Sequence, residues 1–365
     1  MVILLDSVKN QTFWLPIYIM NDRSFLSGPY LILFIAEFCF YILTASILIS
    51  TVRIITKIPL FHRNMNTMMV FFLFQWFEAI VAKLVIIPFQ IGLWSLNDSP
   101  LPYVSWWSSD VQDMIILTTY INTDKTLIIL IAGFMIWHYA YSMIFGILNL
   151  GVERIFATVF LKDYENKPRW YIPVILLIGT HLITVPFSLL VLMNQTGFYI
   201  ATLPCFLNSV VTFKMFIIVW KVNENRRKRM EMPGRDCDYS LSQTFQVKEN
   251  YRALKLAKNL MIVVLCAMSV PCALLITLVI GLIPSWKMLF IHVMENSIYL
   301  NPIIICTVLM FSAPTWRQQY LKYVPKLKWK SSKIFIIMPL PTRDTEGQVP
   351  DEGQVYFEQL RTAWT

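Results

Sequence analysis

Six ionisable side chains stand deep inside long apolar stretches: Glu37, Glu78, Lys83, His138, Lys214 and Glu295. In hydrocarbon each costs roughly 2.5 to 3.5 kcal/mol or more, so it must turn toward other protein groups and find a partner there. A carboxylate or imidazole held in that way can contact a ligand, bind a cation, pass a proton or tie helices together by a hydrogen bond. Lys83 and Lys214 have a further option, because a long aliphatic stem lets the ammonium reach toward an interface. Glu78, in the middle of its run, has no such reach. His292 and Glu295 stand three apart in "HVME" and share one helical face, although two ligands do not make a metal site. Glu153-Arg154 abruptly ends another apolar run. It is either border charge or a partly desolvated contact worth about 1 to 3 kcal/mol, enough to bias a two-state helix bundle.

Catalytic machinery is missing from the sequence. There is no H-E-x-x-H, no G-x-S-x-G with a suitable His and Asp, no P-loop and no G-x-G-x-x-G. Six cysteines, at 39, 205, 237, 266, 272 and 306, show no C-x-x-C pairing and no His at metal-ligand spacing, and read as small buried hydrophobes. The expectation is a non-enzyme with no cofactor, no metal and no nucleic-acid partner.

The elements that must position these groups follow from composition. Of the 365 residues, 56% are hydrophobic and 15% charged, and the mean hydropathy is +0.57. That places the chain in a bilayer. The apolar residues come in blocks of roughly 20 or more, the length of a helix that crosses about 30 Å of hydrocarbon; the alternating ten-residue runs of a membrane barrel are absent. Seven runs qualify: 29–52, 66–93, 126–153, 170–193, 199–221, 253–281 and 287–311. The spacing predicts an all-α membrane protein with a seven-helix transmembrane domain over 29–311. Residues 1–28 form an N-terminal segment, 312–330 a juxtamembrane helix and 331–365 a tail. The N-terminus, interrupted by Asp6 and Lys9, does not read as a cleaved signal.

Orientation follows from charge. Twenty-five of the 31 Lys and Arg residues fall after the first, third and fifth runs and in the tail, so those segments are cytoplasmic and the N-terminus is outside. Three N-x-[ST] acceptors, Asn10, Asn97 and Asn194, all fall on the predicted outer face and are candidate glycosylation sites. The outer gap between the second and third runs carries Asp98, Asp110, Asp113 and Asp124 without a basic residue, together with Trp106 and Trp107. It reads as a solvated loop or as the cap of a ligand site. The inner connector 221–258 is basic, suited equally to anionic lipid and to an intracellular partner. Trp316, Tyr320 and Tyr323, at i, i+4 and i+7 with Arg and Lys between, mark an amphipathic helix on the inner surface.

The third run has a stripe at three- and four-residue steps: His138, Tyr141, Ser142, Phe145, Asn149 and then Val152 or Glu153. Outward on that face lie Met135, Phe134, Ile131 and Leu127. The stripe is either ordinary packing or the wall of a pocket for a small, largely hydrophobic ligand with His138 as its polar floor. Glu78, His138, Tyr141, His292 and Glu295 are the pocket candidates.

Seven runs, an outer N-terminus, the acidic-Arg pair closing the third run, Pro271 in the sixth and Asn301-Pro302 in the seventh together resemble G-protein-coupled receptors. "WLPIYIMN", "ERIFATVFLKDYE" and "YLNPIIICTVLMFSAP" resemble, more narrowly, the nematode serpentine chemoreceptors of class epsilon, over about residues 14–325. The resemblance implies that Glu153-Arg154-Ile155 stands for Asp-Arg-Tyr and that Asn301-Pro302 opens an Asn-Pro-x-x-Tyr motif. Arg154 would then lock the resting state and later meet a heterotrimeric G protein, with the receptor in a sensory neuron's plasma membrane. The chain departs from the wider pattern at Ile155, Ile305 and Ser269, and no cysteine stands at the outer end of the third run. A rhodopsin-like activation relay therefore does not transfer in detail. The expected function is a chemosensory receptor with a small-molecule ligand, a G protein and the bilayer as partners. The competing expectation is a transporter or ligand-gated channel using the intramembrane Glu and His residues, although no repeated halves are visible.

Overall fold

The apolar runs fold as helices because a backbone in hydrocarbon must satisfy its own N–H and C=O groups, and a helix does so within one segment. The structure, a computed structural model, describes residues 1–5, 11–96, 102–105, 114–117, 123–160, 169–230, 241–280 and 286–323. These residues form α1 (Gly28–Lys57), α2 (Arg63–Phe74), α3 (Trp76–Gln90), α4 (Thr123–Val159), α5 (Tyr171–Leu192), α6 (Gly197–Met230), α7 (Leu241–Ile280), α8 (Lys287–Ser312) and α9 (Pro314–Tyr323). A 3₁₀ turn at Arg23–Leu26 leads into α1. All of these belong to one unit, Met1–Tyr323. The tail at 331–365, Asn10, Asn97, Trp106 and Trp107 lie outside the described residues.

Among the described residues, six helical stretches are long and apolar enough to cross a membrane: Gly28–Lys57, Arg63–Gln90, Asp124–Val159, Tyr171–Leu192, Gly197–Met230 and Met288–Ser312. The remaining run is carried by α7, 40 residues long, which also holds Pro271. Outward faces are oily: Ile32 is 70% exposed, Leu182 71% and Phe206 66%. Exposed apolar faces on this scale suit contact with lipid.

Two features differ from the sequence expectation. The second run carries a local irregularity at Gln75, between α2 and α3, where φ and ψ stay helical at −59° and −22° and the N–H still bonds back to the Phe71 carbonyl at 3.1 Å. No proline or glycine stands there. The Trp76 indole donates to the Tyr299 carbonyl of α8 at 2.7 Å, three residues before Pro302. The second feature is a set of short strands. β1 (Val2–Leu5) pairs antiparallel with β2 (Gln11–Trp14) and parallel with β5 (Ile115–Leu117). β3 (Ile19–Met20) pairs with β4 (Tyr103–Val104). Ile3, Leu15, Ile17 and Met20 of the N-terminal segment are buried in the same core as helix residues such as Ile129 and Ile136. The segment thus packs on the bundle end that, by the charge count, faces outside.

At the opposite end α9 is anchored. Trp316 is fully buried, donates to the Ile58 carbonyl at 2.9 Å, and meets Phe61 edge-on, while Arg317, Leu321 and Lys322 are exposed. Between these ends, α2 approaches α4 at Gly146. A Cβ there would lie 2.7 Å from the Phe72 ring, so a larger residue would force the two helices apart or turn the ring.

Candidate functional site

Among the described residues, three polar networks cross between the helices. The first lies near the N-terminal segment. Glu37 and Tyr41 stand i, i+4 on α1, Lys83 and Gln90 i, i+7 on α3, and His292, Glu295 and Asn296 within one turn of α8. The Lys83 ammonium lies 3.1 Å from Glu295 Oε2 and 3.6 Å from Glu37 Oε1, and donates to Gln90 Oε1 at 2.9 Å. Gln90 Nε2 donates to Glu295 Oε2 at 2.8 Å, and the Tyr18 N–H to Glu295 Oε1 at 3.0 Å. His292 Nε2 lies 3.0 Å from Glu37 Oε2. The Tyr41 hydroxyl hydrogen-bonds both Glu37 and Asn296. Lys83 therefore does not reach for an interface; it is buried between two carboxylates. Lys214, by contrast, is exposed on α6. Burial, with help from Glu295, pushes the Tyr18 phenol up to about 12, so it stays neutral beside the cluster.

The second network crosses the middle of the bundle. His138 Nδ1 of α4 lies 2.7 Å from Glu78 Oε1 of α3, and its Nε2 lies 3.0 Å from His181 Nδ1 of α5. Ser142 Oγ lies 3.3 Å from both His138 Nε2 and Thr184 Oγ1. Asn149 continues the seam, donating to the Leu176 carbonyl at 3.2 Å and to Thr180. Tyr141 leaves the stripe: its hydroxyl donates to the Ala201 carbonyl of α6 at 3.0 Å, and its ring packs on Phe187.

Among the described residues the five pocket candidates divide among separate contacts. Glu78 and His138 belong to the central seam, Tyr141 to the α4–α6 contact, and His292 and Glu295 to the α1–α3–α8 cluster. A 3.6-residue period places residues on one helix but says nothing of which neighbouring helix each step meets. His181 was missed as the partner of His138; the polar positions Thr180, His181, Thr184 and Ser188 of α5 held the signal. Glu37 and Lys83 were recognised as buried charges without their mutual pairing.

The third network lies at the α9 end. Arg154 is 3% exposed and Glu153 fully buried. The guanidinium grips Glu153 with two bonds, Nε to Oε2 at 2.5 Å and Nη2 to Oε1 at 2.6 Å. Its Nη1 donates to Asn250 Oδ1 of α7 at 3.0 Å and lies 3.8 Å from Glu249 Oε1. Glu249 also accepts from the His62 N–H at 2.6 Å, at the α1–α2 connection. The Asn64 N–H is 3.3 Å from His62 Nδ1, which caps α2 and must be unprotonated to accept. Burial holds the His62 imidazole down at about 4, and the Arg154 cation adds to the lowering against the opposite pull of Glu153. Beside this clasp, the Thr158 hydroxyl receives Asn223 Nδ2 at 3.0 Å and the Thr158 carbonyl receives Arg226 Nη1 at 2.7 Å, both from α6.

Pro302 is buried within α8, and the buried Asn301 Oδ1 has no hydrogen-bond partner among the described residues. Pro271 lies in α7 with its side chain outside the described residues. Asn194, between α5 and α6, has φ of 52° and donates from Nδ2 to Thr12 Oγ1 at 3.1 Å.

The family model of the Sre G protein-coupled chemoreceptor matches residues 1–365. Serpentine receptor class epsilon-38 of Caenorhabditis elegans is 61% identical over 359 residues, covering 97% of this chain and 98% of that protein. Serpentine receptor class epsilon-37 of the same nematode is 35% identical over 372 residues, covering 100% of this chain and 99% of its own. Serpentine receptor class epsilon-30 is 31% identical over 361 residues. These matches favour a receptor and lend nothing to a transporter or channel.

Proposed function

The chain belongs to the Sre family of G protein-coupled chemoreceptors, multi-pass plasma-membrane receptors of a non-enzyme class, and from that premise we propose how its helices carry a signal. The seven runs cross the membrane as α1, α2 with α3, α4, α5, α6, α7 and α8, with 1–28 outside and 331–365 in the cytoplasm. A small ligand acts in the outer half of the bundle. At the inner end Arg154 holds α4 to α7 in the resting state and becomes available to a heterotrimeric G protein when the two separate.

The observation that carries this reading is the Arg154 clasp: a bidentate bond to Glu153 on its own helix and, 96 residues away, the Asn250 contact on α7. A charge-assisted contact of this kind contributes about 1 to 3 kcal/mol, which corresponds to a shift of about 5- to 150-fold in a two-state equilibrium. That is large enough to keep the receptor silent and small enough for a ligand with differential affinity to overcome.

The test is G-protein signalling in cells, normalised to surface expression. Asn250→Ala, which loosens the clasp and leaves Arg154 in place, raises basal output about fivefold, the equivalent of roughly 1 kcal/mol. Arg154→Ala removes the group that meets the G protein and silences the receptor. Intact signalling by Arg154→Ala at normal expression contradicts the reading.

A further inference from the structure

Between the 3₁₀ turn, α1, α3 and α8 lies a narrow cleft whose floor is the Glu37–Lys83–Gln90–His292–Glu295 cluster. Its walls are Phe25, Phe34, Ile87 and Ile91. We infer that this cleft takes the ammonium of a small, otherwise apolar amine, which replaces the His292 imidazole at Glu37. The inference rests on the receptor reading and adds the chemical class of the ligand.

Donor and charge counts carry it. An ammonium has three N–H donors and no acceptor. Those of Lys83 face three acceptors, Gln90 Oε1 at 2.9 Å, Glu295 Oε2 at 3.1 Å and Glu37 Oε1 at 3.6 Å. Gln90 Nε2 is likewise turned onto Glu295 and the Tyr41 hydroxyl onto Glu37 and Asn296. Each of these donors already has an acceptor within the cluster. Charge points the same way. Two carboxylates face one ammonium, so with a neutral imidazole the floor keeps one negative charge in excess where burial makes that costly. A cationic ligand removes the excess.

His292 is the replaceable member. Its side chain is 14% exposed, against 3% for Lys83, 5% for Glu37 and 7% for Glu295. It meets the cluster through one contact, Glu37 Oε2 at 3.0 Å, and otherwise stacks obliquely near Phe25, 5.8 Å between centroids. A ligand ammonium in its place gains a charge-assisted bond to Glu37 and the faces of Phe25 and Phe34 for cation–π contact. The cleft is narrow, so room for the amine comes from the displaced imidazole and the ligand is a small one.

Full-length receptor in lipid nanodiscs is titrated with isobutylamine, isobutanol and isobutyrate, three probes of one shape and different charge, reading the thermal unfolding midpoint. The amine raises the midpoint at concentrations at least about tenfold lower than the alcohol, the equivalent of one charge-assisted hydrogen bond. Isobutyrate leaves it unmoved. His292→Ala, which leaves the Glu37 carboxylate short of a partner, responds to still lower amine, and Glu37→Gln loses the preference for amine over alcohol. Equal or stronger stabilisation of the wild type by alcohol or carboxylate, or none by the amine, overturns the inference whether or not either variant folds. The readout needs no G protein. Amine binding by a receptor whose Arg154→Ala variant signals normally leaves this inference standing and removes the proposed coupling, and the opposite pair of results does the reverse.

Discussion

Single residues decide how the α9 end of the bundle responds to its surroundings. His62 is the clearest case, because its Nδ1 caps α2 only when unprotonated and its imidazole is held at about 4. The ordinary value near 6.5 applies in the unfolded chain. A depressed folded value means that the unfolded state takes up the proton first, so His62 contributes stability that is fully present above pH 6.5 and lost as the pH falls through about 4. At 1.36 kcal/mol per unit this is on the order of 3 kcal/mol. The thermal midpoint of the detergent-solubilised wild type falls across that window more steeply than that of His62→Ala; coincident slopes contradict the assignment. The Glu153-Arg154 pair was legible in the sequence because an abrupt charge after a long apolar run stands out against its neighbours. Asn250 and Glu249 were not, because they lie in a basic connector whose polar residues all look alike until the fold brings two of them to Arg154. Lys83 illustrates the same limit in the opposite direction. A stem able to reach an interface was visible, and the two carboxylates that hold it in place were not.

Helices were the most legible elements, since 20-residue apolar runs leave little alternative in a bilayer. What the runs concealed was the irregularity at Gln75, which carries no proline or glycine. Beside it Trp76, 1% exposed, donates to the Tyr299 carbonyl at 2.7 Å. Trp76→Phe keeps most of the ring's packing and removes the donor, and is expected to cost about 1 to 2 kcal/mol, measured as a lowered thermal midpoint. An unchanged midpoint would contradict a stabilising role for this bond. The strands β1 to β5 were equally hidden, because pairings of two to four residues within 1–28 and the connector before α4 are too short for a periodicity to show. They matter to the site, since the Tyr18 N–H, just before β3, caps Glu295 at 3.0 Å.

At the scale of the molecule, composition alone marked the chain as a membrane protein, and the charge count is the basis of the proposed orientation. The proposed topology requires an N-terminal tag to be reached by antibody on intact cells and a C-terminal tag to be hidden until the cells are opened. It also predicts a glycosidase-sensitive mobility shift that is lost in the Asn10→Gln, Asn97→Gln double variant. Asn194→Gln alone leaves the shift intact, because Asn194 Nδ2 is bonded to Thr12 Oγ1 at 3.1 Å close to the helix ends. A hidden N-terminus would place Arg154 on the wrong side of the membrane for any G protein.

The central claim is that Arg154 holds α4 and α7 together at rest, and a distance measurement addresses it most directly. Spin labels at Val159→Cys, 66% exposed at the end of α4, and Arg252→Cys, exposed on α7 beside Asn250, report the separation of the two helices by pulsed electron resonance in a background without other reactive thiols. The account predicts one dominant short distance in the resting receptor and a second, longer population of severalfold greater weight when Asn250→Ala is added. An unchanged distance distribution in that variant, alongside raised basal signalling, would mean that activation does not run through the separation of α4 from α7.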